Sequence, residues 1–131
     1  MVNGFASLLT AFDVNVANAL LASDFTDTSD SINFLAGYPL GSTTFPSKAA
    51  FIAGQGSQPA IGFSVLKIDA VTCDTIAFRW AATLGPQTPI KGINILNTSY
   101  NTTSATQQIK AVYSEFNSGL WSAQVGGQCA K

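Results

Sequence analysis

Three carboxylates, Asp24, Asp27 and Asp30, recur at every third residue in Leu21-Ala-Ser-Asp-Phe-Thr-Asp-Thr-Ser-Asp30. In an extended segment Asp27 and Ser29 share a face, so Asp27 is able to point inward. A carboxylate surrounded by apolar groups holds its proton more tightly, which moves it toward the range of a useful general base. Such a base needs a hydrogen-bond donor for the oxygen that gains charge, and Tyr38, Tyr100 and Tyr113 are candidates. Tyr38 lies in Gly37-Tyr-Pro-Leu40, a loop suited to covering a cavity mouth. If there is catalysis, Asp27, Asp30 and Tyr38 are therefore the residues to carry it. The plainer reading is that the three aspartates bond their own backbone in surface turns and that the tyrosines are half-buried packing residues.

Other chemistry is excluded by residue type. The sequence has no histidine, so neither a Ser-His-Asp hydrolase nor an imidazole-dependent dehydratase can be assembled. The common zinc sets of Cys and His are missing too, and no metal site is expected. Gly54-Gln-Gly56 closes a helical run and does not open one, so there is no phosphate loop and no cofactor is expected. Six Lys and Arg are spread singly from Lys48 to Lys131 at a net charge of −1, leaving no basic stripe for nucleic acid. No apolar run reaches the roughly 20 residues that span a bilayer, so no membrane partner is expected.

The elements that must position these groups follow from periodicity. Phe5, Leu8, Leu9, Phe12, Val16, Ala19 and Leu20 recur at helical spacing and predict one amphipathic helix over about residues 4 to 22. Asp30 is placed to cap a brief helical turn from Ser31 to Leu35, closed by Gly37. Pro46 opens a second short helix that Gly54 stops. The period then becomes strand-like over Ile61 to Val71, Thr75 to Leu84, Ile90 to Leu96 and Thr106 to Phe116, with turns at Gly85-Pro86 and over Asn97 to Ser104. The last strand is expected to turn at Gly119. Ile76, Phe78, Trp80, Ala82 and Leu84 fall on one face, against Ala77, Arg79 and Ala81 on the other. The aromatic face should meet the helices, and Glu115 is available to pair with Arg79 if their strands are neighbours. At 131 residues the order predicts a single α+β domain over residues 1 to 131, with N-terminal helices packed on a strongly curved antiparallel sheet.

Hydrophobic residues make up 47 % of the chain and charged residues only 10 %, against about 25 % charged in an average soluble protein. This charge-poor surface, the sequons at Asn97 and Asn101 in an expected exposed turn, and an even cysteine count together favour a secreted glycoprotein. The start of the chain has no charged and apolar leader, so secretion implies a signal peptide already removed. If Cys73 and Cys129 form a disulfide, it closes a long loop worth about 4 kcal/mol; two buried free thiols are the alternative. With few carboxylates and no histidine, a shallow stability profile is expected between neutral and mildly acidic pH.

The opening helix, the Asp24 to Asp30 segment, Phe45-Pro-Ser-Lys-Ala-Ala-Phe51, Cys73-Asp-Thr-Ile-Ala-Phe-Arg-Trp80 and Tyr113-Ser-Glu-Phe-Asn-Ser-Gly-Leu-Trp121 together resemble the NTF2-like superfamily, which includes the SnoaL and ketosteroid-isomerase-like proteins. Most closely they resemble the small secreted NTF2-like domain proteins of filamentous fungi. The resemblance implies a cone-shaped α+β fold enclosing a pocket, often dimeric through the outer sheet face, here near Ala77, Arg79 and Ala81. In steroid-isomerase-like members a carboxylate base follows the first helix, and order places Ser29 or Asp30 there with Asp27 two residues earlier. Phe12, Phe51, Phe78, Trp80 and Phe116 would line the cavity, though their default role is core. Three functions follow as expectations: a noncatalytic domain that binds a small apolar or amphipathic molecule, an isomerase or cyclase using an Asp base with a Tyr donor, and an extracellular interaction or structural protein.

Overall fold

The computed structural model describes residues 1–127. The helical stripe at the N-terminus is cut in two. α1 spans Val2–Thr10 and buries Val2, Phe5 and Leu8, and α2 spans Val14–Leu20. The single helix expected over residues 4 to 22 fails at Asp13, an extended residue whose carboxylate accepts from Asn15 N at 2.7 Å and so caps a new helix. β1, Leu21–Thr28, follows α2 without a loop.

α3 spans Asp30–Ala36. Its cap is Ser29, not Asp30, with the Ser29 hydroxyl accepting from Ile32 N at 3.0 Å, and left-handed Gly37 ends it as expected. α4 spans Lys48–Gly56 and is capped by Ser47, which accepts from Ala50 N at 3.1 Å, so Pro46 lies outside it. Nor does Gly54 stop this helix. Its missing side chain leaves room for the Phe45 ring, which a Cβ there would overlap.

β2 (Gly62–Val71), β3 (Thr75–Thr83), β4 (Ile90–Asn101) and β5 (Thr106–Phe116) form an antiparallel meander, and the sheet order is β1-β5-β4-β3-β2. β1, expected only as a short extended or turn segment, pairs with β5 in parallel, so the sheet is antiparallel everywhere except along this one side. β2 is the outermost strand, and its register with β3 shifts twice, between Val65 and Lys67 and between Ile68 and Ala70. β4 runs on through Asn97 to Asn101, where the Asn101 side-chain Oδ1 accepts from Thr103 N and Ser104 N and shapes the turn. The last strand does not turn at Gly119. Asn117 caps a helix, α5, Ser118–Gln124, by accepting from Leu120 N at 3.0 Å.

Phe78, Trp80 and Ala82 are buried on the inner face of β3 beneath α1, with Phe5 and Phe78 ring to edge at 6.5 Å. Arg79 points outward, but β4 separates its strand from that of Glu115. Arg79 instead forks onto Asp69 of β2 at 2.9 and 3.1 Å. Glu115 reaches the start of α3, where it accepts from Asp30 N at 2.7 Å and Ser31 N at 3.3 Å.

Opposite Trp80 in the β3–β4 register stands Gly92, where a Cβ would overlap the indole and come within 2.8 Å of Phe116 Cβ. Gly92→Ala is expected to destabilise the fold by about 1–3 kcal/mol through this overpacking and to shift tryptophan emission. Denaturant titration followed by fluorescence measures both.

Candidate functional site

Between the helices and the inner face of the sheet lies a cavity of about 200 Å³. α1 contributes Phe5 and Leu9, α3 Ile32 and Leu35, and α4 Phe51; the sheet contributes Asp27, Phe63, Trp80, Asn94, Ser114 and Phe116, and α5 adds Trp121. Asp27 is the sole charged residue in this lining.

Strand alternation puts it there. After the irregular register between Leu21 and Thr26, Phe25, Asp27 and Ser29 all face inward and all are buried. The Asp27 backbone is held from both sides: it pairs with Val112 of β5, and it exchanges two hydrogen bonds with Phe45, Asp27 N to Phe45 O at 3.0 Å and Phe45 N to Asp27 O at 2.9 Å. Its side chain is 3 % exposed, and Oδ1 has no hydrogen-bond partner. Burial without compensation pushes the carboxyl up from 3.8 to about 7.

Facing it across the sheet is a short polar strip. Ser114 lies one inward position beyond Val112 on β5, and Asn94 is directly opposite Ser114 on β4. Trp80 Nε1 donates to Asn94 Oδ1 at 2.8 Å, which satisfies the buried indole and turns the amide NH₂ of Asn94 away from it. Asn94 is two strand spacings from β1, about 10 Å. The inner face of the sheet therefore offers a proton acceptor on β1 and neutral donors on β5 and β4, within an otherwise largely apolar lining.

The structure separates the residues named from sequence. Asp27 is in the cavity; Asp30 is outside it, with Oδ1 accepting from Gly41 N at 2.7 Å. Asp24 is exposed and 3.7 Å from Lys110 Nζ. Tyr38 is 49 % exposed, and Tyr100 and Tyr113 are exposed as well, so none of the three faces Asp27. Phe51, Trp80 and Phe116 line the cavity, while Phe78 is packed deeper in the core and Phe12 lies against Gly56. Cys73 is exposed, and Cys129 lies outside the described residues. Asn97 and Asn101 belong to β4 and not to a turn, and Asn97 Nδ2 donates to Thr75 Oγ1 at 3.3 Å. Among the described residues no three His, Cys, Asp or Glu gather to hold a metal, and no helix is long and apolar enough to cross a membrane. Asn94, Phe63 and Trp121 were not foreseen. Asn94 was detectable as a polar residue at an inward position between Ile90 and Leu96.

The family model for the NTF2-like domain matches residues 1–128. No curated protein matches the sequence. Among solved structures, wild-type IdmH from Streptomyces antibioticus, described as a proposed polyketide cyclase, is similar at 18 % identity and TM-score 0.69, covering 95 % of each chain. An NTF2-like protein of unknown function from Burkholderia pseudomallei is similar at 15 % identity and TM-score 0.69, over 96 % of this chain and 97 % of that one. Nuclear transport factor 2 from Cryptosporidium parvum is similar at 11 % identity and TM-score 0.67, over 88 % of both chains.

Asp27 also bears on the expected shallow pH profile. A carboxyl that holds its proton more tightly when folded contributes stability that is complete below about pH 4 and is lost as pH rises toward and through 7. The total is on the order of 4 kcal/mol. Asp27→Asn should flatten this slope, leaving the variant more stable than the parent at neutral pH. Urea titrations at pH 4.5, 6 and 7.5 measure it, and parallel profiles for the two proteins would contradict the account.

Proposed function

We propose that this chain, which belongs to the NTF2-like domain family, is a small-molecule isomerase or cyclase that moves a proton next to a carbonyl group in its cone cavity. The observation that carries this reading is the Asp27 carboxylate, buried, unpaired and raised to about 7 in an otherwise uncharged apolar chamber. In the proposed step Asp27 accepts a proton from the carbon beside the carbonyl, and the oxygen that gains charge is met by Asn94 Nδ2 and the Ser114 hydroxyl. Asp27 then returns the proton to a different carbon of the conjugated enolate, or the enolate carbon adds to a second carbonyl group, whose C=O π bond opens to an alkoxide that takes the proton back from Asp27. The Tyr38 donor named from sequence has no part in this step, because it is exposed away from the cavity.

A panel of neutral cyclic ketones in D₂O, followed by NMR for exchange of the protons beside the carbonyl, tests the reading. Exchange should rise with pH through about 7, and Asp27→Asn should slow it about a hundred- to ten-thousandfold with circular dichroism unchanged. Undiminished exchange in the variant would remove Asp27 from the reaction. Binding without exchange in the parent would favour the second reading, a noncatalytic domain holding the same class of ligand. The absence of any tyrosine in the lining supports that alternative.

The proposal extends to setting. The outer sheet face carries exposed Leu66, Ile93, Ile95 and Tyr113 around Ala77, Arg79 and Ala81, which supports pairing of two copies there. The two sequons and the low charge support secretion. Asn97 lies on the same outer face as Ile93 and Ile95, so a glycan on it and pairing through that face compete. Protein from a eukaryotic secretory host is expected to lose mass on enzymatic deglycosylation and to sediment as a dimer only afterwards. Material without sugar would count against the secreted reading, and a persistent monomer against the pairing.

A further inference from the structure

Beside the chamber that holds Asp27 lies a larger hollow of about 620 Å³, lined by Gln55, Gln58, Ala60, Thr83, Leu84 and Trp121 among others. The two spaces share three lining residues, Gln58, Ile61 and Trp121, which stand at the border between them. Among the described residues the outer hollow has no charged side chain in its lining. Its amide and hydroxyl groups can satisfy an alcohol, ether or carbonyl, whereas a phosphate or carboxylate drawn in would be desolvated with no cation to meet it.

These border residues are held in different ways. Ile61 is fixed through its backbone, which donates to Leu9 O at 3.2 Å. Trp121 belongs to α5, which has no buried residue and whose hydrogen bonds to the rest of the protein include Gln124 Nε2 to Thr88 O at 2.6 Å, Gln87 Nε2 to Gln124 O at 3.4 Å and, from its cap, Asn117 N to Lys91 O at 3.2 Å. The Trp121 ring rests on Phe116 at 5.3 Å, and Phe116 in turn rests on Trp80 at 5.7 Å. An indole carried by a helix with no buried residue thus stands at the border of the two spaces.

We infer that the outer hollow is a second subsite, which takes the uncharged tail of an elongated molecule whose carbonyl-bearing ring sits beside Asp27, and that Trp121 decides which tails pass. This rests on the reading of the inner chamber as a substrate site. The ligand class it names is a neutral, two-part ketone, and it leaves out nucleotides, acyl phosphates and free fatty acids.

A series of 4-alkylcyclohexanones from methyl to hexyl, titrated by calorimetry, tests the inference. In the parent protein Kd should fall about fourfold for each methylene added, and Ala60→Trp, which fills the outer hollow from an exposed loop position, should abolish that gradient. The parent should also prefer 4-butylcyclohexanone to 4-tert-butylcyclohexanone, and Trp121→Ala should close the gap. A flat series in the parent, or a gradient that survives Ala60→Trp, overturns the second subsite while leaving the chamber intact as a site. A gap that survives Trp121→Ala overturns the selecting role of the indole. Failure of every member to bind the parent overturns the chamber reading itself, and the subsite with it.

Discussion

The cavity depends on one strand that must satisfy neighbours running in both directions. β5 is antiparallel to β4 on one side and parallel to β1 on the other. The parallel register sets Asp27 beside Val112, and the antiparallel register sets Asn94 opposite Ser114. Side chains alternate with a period of two, so a slip of one residue along β5 would turn Thr26 and Thr28 inward and carry Asp27 to solvent. Near its end the same strand carries Glu115, whose carboxylate accepts from the first turn of α3 beside the cavity. Asp27, Asn94, Ser114 and one helical wall are thus fixed relative to one another by the two ladders that β5 makes and by the carboxylate of Glu115.

The chamber is costly in the one place where cost is informative. Most buried polar groups here are satisfied: Thr44 Oγ1 bonds Asn33 Oδ1 at 2.8 Å, Asn33 Nδ2 bonds Ser42 O at 2.9 Å, and Trp80 Nε1 bonds Asn94. Asp27 Oδ1 is left out of this economy. An Asn, Val or Thr would be tolerated at the same inward position of a strand at far lower expense. A group that weakens the fold at neutral pH and yet lines a largely apolar cavity is what the proposed reaction would account for.

Much of this architecture was legible in the chain. The meander, the inward set Phe78, Trp80 and Ala82, and the boundaries of β5 follow directly from period-two alternation. Turn chemistry misled in both directions. Asp13 looked like one more polar residue on a helix but capped a new one; Asn97 to Asn101 looked like a loop but continued β4, because the cross-strand partners Ala111 to Thr106 were there to pair with them. Asp27 could be narrowed to an inward position from its spacing, but its isolation could not. That depends on which residues α1, α3 and α4 bring against it from elsewhere in the chain. The Arg79 and Glu115 pairing failed for the same kind of reason, since strand order is a long-range property that alternation along one strand does not encode.

β2 closes the sheet opposite β1, and its register with β3 is broken twice within ten residues. Each break removes the even row of amide and carbonyl groups that an incoming strand would need, and Lys67 adds a charge between them. A chain this apolar, with so few charges to keep copies apart, would otherwise present a template for fibril growth. The irregularity of β2 therefore blunts this exposed edge against backbone pairing with another strand.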